Sequence, residues 1–223
     1  MFDLATKYVF YLDKDHKKSL ELFLLLNTLE KYVNGAMLEM DRLETTRVAI
    51  NKKMIVLRKG LPLHGLMKRN FELTRLGCDT HFFFVCVDKC YKLLHQLARE
   101  LNDPDIRKLK KELDKVFDIR TIRNHLEHID ERCIGYLNPE DRKKRIKKPI
   151  QDFGNFIGSD FSFNNKKFPS NKQSLGELQK IYRELIKILH DKYASKDQRF
   201  VENEQNEKRI KLIQKALKKA GFV

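Results

Sequence analysis

An arginine, an amide and a histidine stand close together in this chain, at Arg123, Asn124 and His128. A guanidinium stays charged at any working pH and can grip a phosphate through two parallel hydrogen bonds. An imidazole, with an ordinary pKa near about 6.5, can give or take a proton at neutral pH. Set beside one phosphodiester, the pair supplies the two things that a metal-free cleavage needs. One group carries negative charge building on the phosphate oxygens, and the other moves a proton. An overlapping pair, Arg120 and His125, has the same spacing but lacks an amide directly after its arginine, so the Arg123 frame is preferred.

These side chains must be held by a helix. Asp103 is a good cap, Pro104 suits the first helical position, and Asp105 adds negative charge to the first turn. No Gly or Pro follows until Gly135, which predicts one helix running from Pro104 through the motif. At about 100° per residue, Ile119, Ile122, Leu126, Ile129 and Cys133 share an apolar stripe about 80° wide. On a separate arc of about 140° lie Arg120, Arg123, Asn124, Glu127, His128 and Glu131, with Arg123 and His128 at its two edges. His125 falls outside that arc and reads as a structural or dimer-contact residue.

Each polar residue also has a plainer reading. Arg123 and Glu127 are i, i+4 and suit a surface ion pair worth a few tenths of a kcal/mol. His128 suits a solvated helix position. Arg120, Glu127 and Glu131 are close enough in sequence to support the chemistry, and equally suit salt bridges along a wet face.

With its helical context, the R-N-x-x-x-H pattern of Arg123, Asn124 and His128 resembles the HEPN superfamily of ribonuclease-like helical domains. The resemblance covers about six residues and the helix around them. It implies a HEPN-like helical bundle and a metal-independent endoribonuclease that works as a homodimer, with two Arg–His sets lining one cleft and no cofactor. His128 would move the proton of the ribose 2′-OH or of the leaving oxygen. Arg123 would stabilise charge in the transition state, and Asn124 would orient the phosphate or the histidine. The expected products are a 2′,3′-cyclic phosphate and a 5′-hydroxyl. It further implies the RNA-cleaving toxin of a toxin–antitoxin or abortive-infection (antiphage) system, partnered by a protein antitoxin or another defence component. A non-catalytic HEPN-like adaptor that binds RNA or protein is the alternative. One position departs from the pattern. Many such toxins carry, two residues after the histidine, a tyrosine that accepts a transferred nucleotide; here that residue is Asp130.

The composition fits an RNA partner. The 223 residues hold 46 Lys plus Arg against 31 Asp plus Glu, a formal net charge of +15. Such an excess attracts polyanions by steering and by counterion release. The run Arg142, Lys143, Lys144, Arg145, Lys147 and Lys148 is the expected backbone-binding segment, since Lys and Arg hold phosphate without reading sequence. Cys78, Cys86, Cys90 and Cys133 form no C-x-x-C pair and no zinc-ribbon spacing with histidine. Cys86 and Cys90, i, i+4 in an apolar segment, are expected to be buried free thiols, and no metal site is expected. The N-terminal segment has early acidic residues and no long apolar run, so no secretory signal is expected. FLLLNTL and HFFFVCV are too short to cross a bilayer, and a cytoplasmic protein without membrane contact is expected.

Elsewhere the pattern is also mainly α. Leu20, Phe23, Leu24, Val33, Met37 and Met40 predict a long amphipathic helix over about 14–50. Gly60, Pro62 and Gly65 predict short helical pieces before a core helix that begins near Asp79 and ends near Asn102. The segment 152–169 alternates Phe with Gly and Asn and predicts a small β-hairpin or irregular insertion. Its Phe153, Phe156, Phe161 and Phe163 either cover the bundle or stack on bases. Ser174, with Glu177 as a capping box, predicts a helix to about Tyr193, and a final basic helix follows over 197–220. The expected organisation is one domain, with a core bundle of about 14–135 and 174–220 interrupted by a loop or hairpin insertion of about 138–170.

Overall fold

The computed structural model describes residues 16–57, 64–122, 155–157, 160–163 and 166–219. They form a mainly α fold with a small β insertion. Helices α1 (His16–Leu57) and α2 (His64–Glu100) pack along each other. At 1.5 Å per residue they are about 63 Å and 55 Å long. The six residues between them reach about 20 Å at most, so the two helices must run antiparallel.

Their seam is written at coiled-coil spacing. On α1 the buried apolar positions are Leu22, Leu26, Leu29, Val33, Ala36, Met40 and Leu43. On α2 a matching series of buried positions runs through Leu76, Thr80, Phe83, Val87, Cys90, Leu94 and Leu97. Both series alternate steps of four and three, the repeat that keeps one stripe facing a partner. Expectation and structure differ in register here. Leu20 and Leu24 were expected in the stripe but are 58% and 54% exposed. The segment from Leu20 to Leu29 is apolar on nearly every side, so its own period cannot choose a face; pairing with α2 chooses it. Gly35 faces α2, where an added Cβ would lie 3.0 Å from the Cys86 sulfur. Nor does α2 begin near Asp79. It is one helix from His64 and runs through Gly65 and Gly77, each of which costs a helix about 1 kcal/mol, less than the apolar seam returns.

A tight corner leads from α2 to α3 (Pro104–Phe117). Asn102 takes a left-handed backbone (φ 48°), and the Asp103 and Asn102 amides donate to the Ala98 and Arg99 carbonyls, the paired bonds of a Schellman ending. Asp103 then caps α3, accepting from the Asp105 and Ile106 amides, as expected. Ile106, Leu109, Leu113 and Phe117 face the core.

The insertion is a three-stranded antiparallel meander of β1 (Asn155–Ile157), β2 (Asp160–Phe163) and β3 (Lys166–Phe168). Phe156 pairs with Phe161, and Phe161 with Phe168. Phe161 and Phe168 are buried, with ring centroids 6.2 and 6.5 Å from that of Phe84 on α2. Phe161 therefore covers the bundle and is not free to stack on a base. Helix α4 (Lys172–Lys192) follows. Its cap is Asn171 and not Ser174, which occupies the third helical position and completes the capping box with its own hydroxyl. A 3-10 turn (Ala194–Lys196) leads to α5 (Gln198–Lys219).

Arg47 of α1 clasps the connection between β3 and α4. It donates to the Ser170 carbonyl (2.7 Å) and hydroxyl (3.1 Å) and pairs with Glu44 (3.0 Å). The Ser170 hydroxyl in turn accepts from the Phe161 amide. Arg47→Ala leaves the buried Ser170 polar atoms without this donor and should cost about 1–3 kcal/mol, read as a lower urea midpoint. Arg47→Lys should recover only part of it, because an ammonium lacks the planar fork.

Candidate functional site

The approach to the Arg–Asn–His motif is bent. One helix was expected from Pro104 through the motif, but α3 stops at Phe117 and Asp118 adopts a left-handed backbone (φ 44°). Its amide closes α3 on the Asp114 carbonyl (2.8 Å), while its own carbonyl accepts from the Thr121 and Ile122 amides (3.0 and 3.2 Å). The Thr121 hydroxyl donates to the Asp118 carboxylate (2.8 Å). One residue thus ends one helix and starts another, and residues 119–122 are helical in the new direction. Short polar side chains tolerate this backbone because they hydrogen-bond locally. Asp is among the few non-glycine residues that do, which explains why a break arises with no Gly or Pro.

The corner is anchored on its apolar side. Phe117, Ile119 and Ile122 are buried, and the Phe117 ring lies 6.1 Å from that of Phe83. The expected apolar stripe therefore faces the core at Ile119 and Ile122, and Arg120 points to solvent. Lys166 of β3 reaches the Asp118 carboxylate at 3.4 Å. Both groups are exposed, so this bridge contributes little energy, but it places the meander beside the start of the motif-bearing segment. Asp118→Val should cost about 2 kcal/mol, since a β-branched residue is strained at this backbone. Asp118→Gly removes the strain and should stay within about 1 kcal/mol of the original. Thermal unfolding of the two variants separates the outcomes.

Of the expected site residues, Arg120 is placed, exposed, two residues past the corner. Arg123, Asn124, Glu127, His128 and Glu131 lie outside the described residues, as do His125, Asp130, Cys133 and the basic run Arg142 to Lys148. Comparison with family models, with curated proteins and with solved structures finds no match. The reading of the site rests on the chain's own residues.

Among the described residues no group of three or more His, Cys, Asp or Glu is placed to hold a metal ion, and no helix is long and apolar enough to cross a membrane. Burial, with the nearby Glu39 carboxylate, pushes the Cys86 thiol up to about 11. Burial also raises Cys90 well above its ordinary value. Both stay protonated at neutral pH and are poor nucleophiles.

Two polar features were not singled out in the sequence. The first is the full partner set of Asp103. This buried carboxylate receives Lys192 Nζ on both oxygens (3.0 Å each) and the Tyr193 hydroxyl (3.0 Å), besides its two capping amides. Lys192 also reaches Asp105 at 2.6 Å. The start of α3 is thereby tied to the end of α4. The cap was legible, but partners 89 and 90 positions away carry no local signal. The second is a groove of about 330 Å³ between α3 and α4, lined by Glu112, Lys115, Val116, Glu177, Lys180, Ile181 and Glu184. Its charges are mixed and Lys180 already pairs with Glu177 (3.8 Å), so it offers a polyanion no net attraction.

Proposed function

We propose that this chain is a metal-independent endoribonuclease of HEPN type, acting as a homodimer and serving as the RNA-cleaving toxin of a toxin–antitoxin or abortive-infection system. The observation that carries the reading is the Arg123-Asn124-x-x-x-His128 spacing in a mainly helical chain of net charge +15. The corner at Asp118 lends support, since it fixes the start of the motif-bearing segment against the core with Ile119 and Ile122 inward and Arg120 outward. In this reading Arg123 holds the scissile phosphate and His128 transfers the proton. Asn124 orients one of them, and Arg120, Glu127 and Glu131 tune the face. The basic run Arg142 to Lys148 holds the RNA backbone. The protein works in the cytoplasm, where its RNA is.

Incubation of the purified chain with total RNA in EDTA tests this directly. Cleavage that survives EDTA and disappears in His128→Ala and Arg123→Ala supports it. Tight RNA binding with no cleavage turns the reading to the non-catalytic adaptor. Loss of cleavage with His125→Ala but not with His128→Ala moves the site to the Arg120 frame. A solution mass near twice 26.6 kDa is expected, and a strict monomer removes the shared cleft.

A further inference from the structure

Among its described residues, helix α5 packs little against the bundle. Its main contact is with the 3-10 turn before it, and residues 205–215 are exposed without exception. Charge is divided along it: Glu202, Glu204 and Glu207 lie in the first half, whereas residues 208–219 hold six Lys or Arg and no Asp or Glu. Helical geometry sets Lys208, Lys211, Lys215 and Lys218 on one arc of about 80°, rising about 15 Å along the axis. Lys208 leans back to Glu204 (3.4 Å). Among the described residues no carboxylate pairs with Lys211, Lys215 or Lys218.

An exposed helix of this kind suits a partner that is itself a line of negative charge. A membrane surface fits less well, because a helix lying in a bilayer interface needs its apolar residues gathered opposite its cations. Here the exposed apolar residues are split around the helix: Ile210 and Ile213 lie opposite the lysines, whereas Val201 and Leu212 lie beside them. We propose that the Lys208–Lys218 stripe of α5 binds the phosphate backbone of a single RNA strand. It would act as a sequence-independent arm outside the helical core, separate from the Arg142 to Lys148 run. The choice of RNA rests on the ribonuclease reading above; the electrostatic argument does not.

The test uses the full chain carrying His128→Ala, so that RNA stays intact, and a short fluorescein-labelled oligouridylate. Binding is followed by anisotropy over a range of KCl concentrations. Lys208, Lys211, Lys215 and Lys218 are changed together to Gln, a residue of similar helix propensity. A control chain has Lys108, Lys111, Lys172 and Lys187, exposed on the bundle, changed in the same way. Each phosphate contact contributes about 0.7 to the slope of log affinity against log salt for a single strand. The stripe variant should therefore lose about 2–3 of slope, and the control, with equal net charge, much less. Equal losses in the two variants would overturn the proposal. So would an unchanged RNA slope in a stripe variant that no longer floats with phosphatidylserine vesicles. If unmutated chain cleaves no RNA while the slope difference holds, the ribonuclease reading falls and this one stands.

Discussion

Changing His128 to Ala should lower EDTA-resistant RNA cleavage by about 10²–10⁴-fold, the range typical of a lost general acid or base. Arg123→Ala should cost about 10²–10³-fold, because one fixed charge donor would be missing from the place where negative charge builds. The two losses should not multiply. Groups that act on one transition state form a unit, so the double variant should resemble the worse single one. Arg123→Lys should recover little, since an ammonium keeps the charge but not the bidentate fork. Rates measured across pH give an independent readout of the proton-transferring group. A His128→Ala chain that cleaves at the unmutated rate would remove the proposed site.

Asp103→Ala should be the most damaging change to a polar side chain among the described residues, at about 2–4 kcal/mol. The lost helix cap accounts for about 1 kcal/mol. The remainder comes from leaving the Lys192 ammonium and the Tyr193 hydroxyl short of a partner. In a protein of this size that corresponds to a melting temperature lower by about 5–15 °C. Asp103→Asn keeps the capping oxygen and loses only the charge, so it should fall between. The sign of the pH dependence follows from each group. Burial alone would raise the Asp103 carboxyl, but hydrogen bonds from Lys192, the Asp105 amide, Tyr193 and the Ile106 amide outweigh it and hold the carboxyl below 3.8. Its contribution is therefore complete above about pH 4 and is lost as pH falls through the lowered value. The hydrogen bond to Asp105 raises Lys192 above 10.5 against an opposing effect of burial. Burial and the Asp103 carboxylate push Tyr193 up to about 12. Both contributions are present below about pH 10 and are lost as pH rises through the raised values. Unfolding followed from pH 2 to 12 should show Asp103→Ala with shallower limbs at both ends; unchanged limbs would separate this cluster from stability.

The elements that could be read from the chain are those set by local chemistry. Asp103-Pro104 announces the start of α3, and the alternation of Phe with Gly and Asn announces a β insertion. The parts that could not be read depend on distant partners or on a choice between near-equal local options. Leu20 and Leu24 look as buriable as Leu22 and Leu26 until the spacing of α2 decides. Ser174 and Asn171 are both good caps three residues apart, and the structure uses one as cap and the other as its reciprocal partner. Asp118 is the instructive case for the candidate site. An unbroken run of helix formers hid a corner, because only the backbone angle of a tolerated residue marks it. The motif's residue types and order were legible from the start, whereas the direction from which the chain enters it was not.

The Arg47–Ser170 clasp also bears on the order of assembly. Docking α1 on α2 closes a connection of six residues, but the clasp joins positions 123 apart. If closure entropy grows as three-halves RT times the logarithm of loop length, the clasp starts about 2.7 kcal/mol behind. The helical hairpin should then form early and the clasp late. The penalty of Arg47→Ala would appear in the unfolding limb of a chevron, leaving the refolding limb nearly unmoved. The clasp would thus set how long the folded chain lasts, and hardly how fast it forms.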